Sequence, residues 1–483
     1  MNNASKAVHA HPFSIFTYLY RYIFLLIIPV ARGFFTGLTG GFAAWLSGAW
    51  LDVLIVVAII SLAYLKWDNF KYYMDIHGIY YTYGIFFKRA GFIPSQKIST
   101  FAVMKPFWLR PLRVSKVRVD TIALRPQKAD LEFFVSFDQA DRLQDFFNTS
   151  PLTQGKVLCQ YRPSIMGVVF LSLFTSNSFI GIVLMATFIS QMGQILGRQF
   201  NDFVFYTFEE LSRLLAIGIP PIAAGAALIL VAGWLIAFCF NLLQTKNLCT
   251  RRTQHGLQIG GGVITQKHYE LRISDISFVD IRQSLLTKLF RLYSVYLNAI
   301  GFGKEKDDIS AIIPFSTQKR TLNRLSLLLP EYRISPRQLK PNFGAVFKFI
   351  IDPFWPCVLI PAGTLVAAWF LPNWTSIIRF TGFMLSVPAF WFLGVRLVDF
   401  ATSGISKIDD YYTLRYSKLY YIHTVVFNWD KIALINIRQS ILQRGDDKCD
   451  IVISTRAEGR RTHHIRNLDR QPSLEIFHAH ENH

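Results

Sequence analysis

One short pattern occurs twice in this chain, and it constrains the fold more than any other feature. Residues 276–286 read ISFVDIRQSLL, and residues 432–442 read IALINIRQSIL. Ile281–Ser284 and Ile437–Ser440 are identical, and 156 residues separate Ile281 from Ile437. Solenoid repeats recur every ~20–50 residues, so a repeat at this distance indicates a duplicated domain.

The repeat includes a third, earlier copy. When Ile98, Ile276 and Ile432 are aligned, apolar residues recur two apart in all three copies. These are Phe101, Val103, Val117 and Val119, then Val279, Ile281, Val295 and Leu297, then Ile435, Ile437, Ile451 and Ile453. A two-residue period is typical of half-buried strands. The three copies are therefore predicted to be rich in β-structure.

Each copy begins with β-rich runs, and the first two copies are predicted to close with an amphipathic helix. Gly84 and Gly262 lie at predicted turns, and Lys418 takes that place in the third copy, so a different turn is expected there. Amphipathic helices are predicted after Asp138 and after Ser316. The third copy has only a degenerate tail around 468–477, interrupted by Pro472.

Long apolar segments occur in pairs before the copies. The chain is 52% hydrophobic and only 17% charged, which suits a membrane protein with sizeable soluble parts. Segments long enough to cross ~30 Å of hydrocarbon are predicted in three pairs. The pairs are 16–35 with 42–65, 164–191 with 214–243, and 350–371 with 377–400.

The distribution of charge predicts the topology. The connectors inside each pair carry little positive charge, whereas the segments between pairs are rich in Lys and Arg. The positive-inside rule therefore predicts that these segments and both termini are cytoplasmic, and it accounts for the net charge of +20 without nucleic acid. We expect no cleaved signal peptide, because the first residues lack a compact apolar core followed by a small-residue cleavage site.

The sequence resembles a known family. A membrane hairpin, a strand–Gly–strand start and the pattern I-x-x-[VIL]-x-[IV]-x-Q-S-[LI]-L are similar to the bacterial PH-like family, also called the membrane-flanked domain. The first copy departs from the signature, with Lys105-Pro106 in place of Gln-Ser. The resemblance implies an α+β membrane protein of the bacterial inner (plasma) membrane. It would have six transmembrane helices in three hairpins, each followed by a cytoplasmic PH-like small β-barrel with a C-terminal helix.

The predicted domain organisation follows from this alternation. Transmembrane hairpins are expected at 16–65, 164–243 and 350–400, and PH-like domains at 66–150, 249–335 and 406–478.

Recurring basic residues are the candidate binding site for lipid or a partner. They are Lys105, Arg110, Arg113, Arg282, Lys288, Arg291, Arg438 and Arg444. Each Lys or Arg near an anionic leaflet contributes ~1 kcal/mol to lipid binding, but ordinary positive-inside anchoring explains the same residues. The signature residues Gln283, Ser284, Gln439 and Ser440 are candidates either for a hydrogen bond within the fold or for a partner contact.

No catalytic motif is present, so we expect a protein that is not an enzyme and has no cofactor or metal site. His463 and His464 are expected at a solvated strand end. The predicted function is a scaffold that presents its domains to membrane lipids, to a second copy of itself or to a related small membrane protein. The alternative is a transporter or lipid-moving protein, suggested by the polar run Thr175–Ser178 inside a span. Inside the span, these polar side chains would either line a path for a substrate or form hydrogen bonds between helices.

Overall fold

The computed structural model describes ten stretches of the chain. These are residues 7–22, 49–75, 77–122, 129–149, 156–176, 198–215, 221–254, 256–302, 311–457 and 459–478. They form two compact units. The first contains Met1–Leu158, Arg252–Gly260 and Ile264–Asp275, and the second contains Cys159–Arg251, Gly261–Val263 and Ile276–His483. The predicted domain 249–335 therefore contributes strands to both units.

The described residues outside the predicted spans form mainly β-strands. In chain order they are β1 (Val8–His9), β2 (Lys71–Asp75), β3 (Gly78–Tyr83), β4 (Arg89–Pro94), β5 (Ile98–Pro106), β6 (Val114–Thr121), β7 (Leu131–Ser136), β8 (Cys159–Tyr161), β9 (Cys249–Arg252), β10 (Gly256–Gly261), β11 (Thr265–Arg272), β12 (Ile276–Ser284), β13 (Leu292–Ala299), β14 (Ala311–Thr317), β15 (Gly404–Ile408), β16 (Tyr411–Lys418), β17 (Tyr421–Asn428), β18 (Ile432–Arg438), β19 (Lys448–Ala457) and β20 (Gly459–Asp469).

The α-helices are Ser14–Tyr22, Ala49–Asp68, Phe137–Thr149, Ile165–Thr175, Arg198–Leu215, Pro221–Thr245, Leu285–Leu289, Gln318–Leu328, Val346–Phe370, Thr375–Thr402, Ile441–Arg444 and Arg470–His478. Short 3-10 helices are Ser95–Lys97, Phe107–Leu109, Ile273–Asp275, Phe343–Ala345, Pro372–Trp374 and Trp429–Lys431.

Three segments of the chain have the same order of elements. Segment 1 (71–149), segment 2 (249–328) and segment 3 (404–478) each contain six strands followed by one helix. In each segment a 3-10 turn precedes the fourth strand, and that strand carries a bulge near its start. The bulges fall between Ile98 and Thr100, between Ile276 and Phe278, and between Ile432 and Leu434.

The turn after the fourth strand also repeats. Arg113, Arg291 and Asp447 have φ angles of 53°, 53° and 46°, which lie in the left-handed region. These three positions correspond when Ile98, Ile276 and Ile432 are aligned. Residues other than glycine rarely adopt the left-handed backbone conformation. Its recurrence at three equivalent positions indicates that the three segments share this turn geometry.

Segment 1 and the preceding strand β1 form two sheets that share a core. The orders are β1-β2-β3-β4 and, at one end of a larger sheet, β7-β6-β5. Tyr72 and Ile79 of the first sheet belong to the same buried cluster as Phe101 and Val117 of the second and Leu143 of the helix. The alternating apolar residues of the two sheets therefore face each other. No sheet closes into the predicted barrel within the described stretches of this segment.

Segment 3 has the same arrangement. Sheet β15-β16-β17 and sheet β18-β19-β20 enclose a cluster that includes Tyr412, Phe427, Ile451 and Phe477. The sequence predicted only a degenerate tail here, but the helix Arg470–His478 covers the core. Pro472 is tolerated because it lies in the first turn, where the backbone N–H has no helical partner.

Consecutive segments are joined by antiparallel strand pairs. In the first unit β11 pairs with β5, and Glu270 lies opposite Phe101. In the second unit β12 pairs with β17, and Val279 lies opposite Val426. The internal repeat groups each strand with the others of its own copy and does not predict these pairs.

Three described helices are long and apolar enough to cross a membrane. They are Ala227–Thr245, Phe343–Phe370 and Pro372–Thr402. The last two correspond to the third predicted hairpin, and Gly382 of one helix lies against Thr364 of the other. Much of the first two predicted hairpins, at 23–48 and 177–197, lies outside the described residues.

Candidate functional site

A cavity of about 550 Å³ lies within the second unit, beside the pair of strands that joins segments 2 and 3. Strands β12, β13, β16 and β17, the helix Gln318–Leu328 and the connection 332–337 form its walls. Its lining comprises Ile281, Gln283, Lys288, Tyr293, Gln318, Thr321, Leu322, Asn323, Leu325, Ser326, Tyr332, Arg333, Ile334, Arg337, Thr402, Arg415, Ile422 and Thr424.

The charge of this lining is entirely positive. Lys288, Arg333, Arg337 and Arg415 contribute four cations, and none of the lining residues is Asp or Glu. Burial lowers the pKa of Lys288, and repulsion by Arg337 lowers it further, while Asp399 opposes the shift. Burial and Arg337 also lower the pKa of Arg415. Cations that destabilise each other's charged forms create a site where a bound anion is favoured.

Arg415 has donor capacity that the protein leaves unused. Its Nη2 donates to the carbonyl oxygen of Ser335. Its Nη1 is buried and has no hydrogen-bond partner among the described residues. An unsatisfied buried donor costs about 1–3 kcal/mol, and more when it is charged. A ligand with acceptor oxygens would remove this cost.

Arg337 links the cavity to the end of a candidate membrane span. Its Nη1 donates to the carbonyl oxygen of Ala401 at 2.7 Å and approaches that of Ser403 at 3.4 Å. These carbonyls lie at the C-terminal end of Thr375–Thr402, where the helix leaves acceptors free and its dipole is negative. Thr402 itself lines the cavity. The cationic site therefore lies at the end of this helix.

The signature residues have structural roles at this site. Gln283 lines the cavity, and its Nε2 donates to the carbonyl oxygen of Leu292 at 2.9 Å. Ser284 caps the helix Leu285–Leu289 because its Oγ accepts from the N–H of Thr287 at 3.3 Å. In segment 3, the N–H of Ser440 donates to Oε1 of Gln443 at 2.8 Å. Gln439, which follows β18, is half-buried.

The predicted basic residues of segment 1 lie in the first unit and have contacts there. Lys105 pairs with Asp141 at 2.9 Å and lies over the ring of Phe137. Arg110 approaches the carbonyl oxygens of Lys105 and Ile264, each at 3.4 Å. Arg113 occupies the left-handed turn position.

Among the predicted basic residues of the second unit, only Lys288 lines the cavity. Arg282 donates to Asp280 at 3.0 Å and stacks over the ring of Tyr296. Arg291 occupies the left-handed turn position of segment 2. Arg438 and Arg444 are exposed, at the end of β18 and in the following short helix.

Asp280 is the centre of a buried charge cluster. His423 lies 2.9 Å from its Oδ2, and Arg282 lies 3.0 Å from the same oxygen. Burial alone would raise the pKa of this carboxyl, but His423 and Arg282 lower it to about 2. Asp280 is therefore ionised at neutral pH and neutralises charge inside the strand pair.

The expectation for His463 is wrong. It is 2% exposed, and its ring bridges the hydroxyls of Tyr416 at 2.8 Å and Thr455 at 3.0 Å. Burial lowers its pKa to about 4; Asp280 opposes this shift, and Lys418 and Arg461 add to it by smaller amounts. The residue is inside the core because strand β20 turns alternate side chains inward, so two adjacent histidines differ in environment.

Part of the polar run Thr175–Ser178 lies among the described residues. The hydroxyls of Thr175 and Ser176 donate to carbonyl oxygens one turn earlier in their own helix. Asn241, on the helix Pro221–Thr245, donates to Ser176 Oγ at 3.3 Å. These contacts are those of helix packing. Residues 177 and 178 lie outside the described stretches.

Sequence reasoning missed three cations of the cavity, Arg333, Arg337 and Arg415. The first two follow segment 2 in a connection without a repeated pattern. Arg415 lies on β16 between the apolar residues Leu414 and Tyr416. A charged residue in this pattern is indistinguishable in the sequence from one that faces solvent on an ordinary strand. Nothing in the sequence indicates that these positions converge, because convergence depends on the pairing of β12 with β17.

Comparison with known protein families finds a match to the bacterial PH domain. The model of the bacterial PH domain matches residues 22–149 and 205–325, which together make just over half of the chain. No curated protein and no solved structure matches the chain significantly.

Proposed function

The chain belongs to the bacterial PH domain family, and we propose that it is a non-enzymatic membrane scaffold whose cationic cavity binds the phosphate of an anionic lipid headgroup. The observation that carries this proposal is the cavity itself. Among the described residues its lining has four cations and no carboxylate, and Nη1 of Arg415 is buried there without a hydrogen-bond partner.

The proposed architecture has three copies of the domain and six spans in three hairpins, with both termini cytoplasmic in a bacterial inner membrane. The matched regions account for the first two copies. The equivalent bulge at Ile432–Leu434 and the left-handed Asp447 support a third copy in segment 3. Three membrane-length helices support the spans, and the positive-inside pattern supports the orientation.

The position of the cavity favours a lipid as the source of the anion. Thr402 and the Arg337 contacts with Ala401 and Ser403 place the cations at the end of a candidate span. A lipid phosphate lies at the level of the interface, where such a helix would leave the hydrocarbon. Arginine and lysine are suited to phosphate oxygens because they supply several donors and full positive charge.

The test uses the full chain, because an isolated segment 249–335 would lose the strand partner that β17 supplies to β12. The purified protein in mild detergent is titrated with short-chain phosphatidylglycerol, short-chain phosphatidylcholine or inorganic phosphate, and its thermal unfolding is followed. Phosphatidylglycerol should raise the melting temperature, and phosphatidylcholine at the same concentration should raise it less.

The double variant Lys288→Gln with Arg415→Gln should weaken phosphatidylglycerol binding by roughly 30-fold, since each cation contributes about 1 kcal/mol. The matched control is Arg438→Gln with Arg444→Gln, which removes two exposed cations outside the cavity lining. Equal loss of binding in both double variants would show that only general charge matters. A full response to inorganic phosphate alone would assign the cavity to a soluble anion instead of a lipid.

A further inference from the structure

The two strand pairs that join consecutive segments have the same register. When the segments are aligned, Phe101 corresponds to Val279, and Glu270 corresponds to Val426. Phe101 lies opposite Glu270 in the first pair, and Val279 lies opposite Val426 in the second. In both pairs, the fourth strand of one segment binds the third strand of the next segment. The junction is therefore a repeated feature with one geometry.

The junction also exchanges side chains between segments. Phe278, at the start of β12, belongs to the core cluster of segment 3 and packs edge-on against His463, with ring centroids 4.9 Å apart. It is only 7% exposed. On the other strand, Val426 is fully buried, and the equivalent Glu270 is 4% exposed. Each junction thus buries residues that a separate segment would leave in solvent.

Two strands of the same types lack such a partner. β18 is the fourth strand of segment 3, and β4 is the third strand of segment 1. Within the described stretches, β18 pairs only with β19, and β4 pairs only with β3. Leu434, equivalent to Phe278, is 42% exposed, and Phe92, equivalent to Glu270 and Val426, is 44% exposed. An edge strand with exposed apolar residues is a template for pairing with another chain.

We propose that β18 of one chain pairs with β4 of a second copy of the same chain, in the register of the two internal junctions. A second copy of the chain is the expected partner because internal junctions pair a fourth strand with a third strand. Among the described strands, β18 is a fourth strand without a third-strand partner, and β4 is a third strand without a fourth-strand partner. The contact is head-to-tail, so it can repeat from chain to chain. It gives the proposed scaffold a partner and rests on that scaffold role, but it does not depend on the cavity.

The shared register fixes which residues meet. Leu434 would lie opposite Ile93, and Arg438 would lie opposite Arg89. The five residues Leu434–Arg438 would face Arg89–Ile93. Pro94, which has no N–H to donate, follows this stretch and would not interrupt the ladder.

One feature makes this contact weaker than the internal junctions. In the second junction, Arg282 lies opposite His423. Asp280 forms an ion pair with Arg282 and a hydrogen bond with Nδ1 of His423. The position equivalent to Asp280 in segment 3 is Asn436, so Arg438 and Arg89 would face each other without the carboxylate that Asp280 supplies at the second junction. Asp450 lies opposite Arg438 on β19, but its carboxylate pairs with His464 at 3.1 Å and accepts from Gln443 at 2.6 Å. Like charges directly opposite each other are destabilising, which favours reversible assembly.

The experiment is a register-specific crosslink in membranes. Two full-length versions with different tags are co-expressed, one with Arg89→Cys and the other with Arg438→Cys, and the isolated membranes are oxidised. A mixed-tag dimer that disappears on reduction is expected. The control replaces Arg89→Cys by Phe86→Cys, an exposed position three residues away and outside β4. Each single variant with an unmodified partner controls for the five native cysteines.

The mixed-tag product should be several-fold more abundant for the 89–438 pair than for the 86–438 pair. Either the absence of a mixed-tag product or an equal yield from both pairs would overturn the proposal. Arg89 and Arg438 do not line the cavity. Crosslinking without phosphatidylglycerol binding would therefore reject the lipid site alone, and binding without crosslinking would reject the assembly alone.

Discussion

Asp280 and His423 are 143 residues apart in the sequence, yet the carboxylate of one lies 2.9 Å from the imidazole of the other. The contact spans the junction between β12 and β17, and Arg282 shares the same carboxylate. A buried charge is costly unless it is paired. This cluster therefore favours the observed pairing of β12 with β17 over other pairings, in addition to the apolar contacts of the junction.

Replacing Asp280 should destabilise the second unit. Asp280→Ala leaves Arg282 without its counter-charge and removes the hydrogen-bond partner of His423 Nδ1, and breaking a buried pair costs ~3–5 kcal/mol. Because the Arg282 side chain is 35% exposed, water offsets part of this loss, and we expect about 2–3 kcal/mol. Thermal unfolding of the full chain in detergent measures the change. Asp430→Asn, at an exposed site of segment 3, should change stability little, and equal effects of the two variants would contradict the role of the cluster.

The free energy of unfolding should decrease as the pH is lowered, because His463 is buried in its neutral form. Burial lowers its pKa to about 4 from the ordinary value of 6.5, so the folded state favours the neutral ring. The stabilisation is complete above pH 6.5 and is lost as the pH falls from 6.5 towards 4, by at most about 3 kcal/mol.

The His463 prediction is checked by melting temperatures between pH 7 and pH 4.5. His463→Gln keeps hydrogen-bonding capacity but cannot take up the proton, so its profile should be flatter than that of the wild type. Tyr416→Phe removes one hydrogen bond to His463 and should lower stability throughout while keeping the slope. Parallel profiles for wild type and His463→Gln would show that another group controls this range.

Charge reversal tests the register of the proposed assembly. Arg438→Glu places a carboxylate opposite Arg89 of the next chain and should strengthen self-association about fivefold, because an opposite-charge pair replaces a repulsive one. Analytical ultracentrifugation in detergent measures this.

Adding Arg89→Glu to the Arg438→Glu chain restores a like-charge pair and should return association to the wild-type level. Higher salt should strengthen wild-type association, since it screens the repulsion. Stronger association of the double variant than of Arg438→Glu would be incompatible with this register.

The signature serine is expected to act through helix capping. Ser284→Ala removes the acceptor for the N–H of Thr287 and should cost about 1 kcal/mol of stability, whereas Ser284→Asp should retain most of it. Phosphatidylglycerol binding, measured by titration, should change less than twofold in Ser284→Ala. A selective loss of lipid binding with unchanged stability would instead give Ser284 a direct role at the ligand.

Much of the local structure was predictable from the sequence. The two-residue period around Ile98, Ile276 and Ile432 predicted strands, because alternate side chains of a strand reach the same core. The turn at Gly262 and the amphipathic helix Gln318–Leu328 followed from equally local rules. The internal repeat also predicted that the same order of strands would recur three times. The bulges at equivalent positions of the three segments agree with this prediction.

Tertiary structure alone decided which strands of different segments meet. A strand edge offers the same N–H and C=O groups whatever its sequence, so the pairing of β12 with β17 leaves no local pattern. That pairing brings Arg415 near Lys288 and Arg337 and places Asp280 beside His423. The IRQS motif therefore identified the repeated strand. The charge of the cavity, and the edges of β4 and β18 that no described strand pairs with, depend on how the segments join.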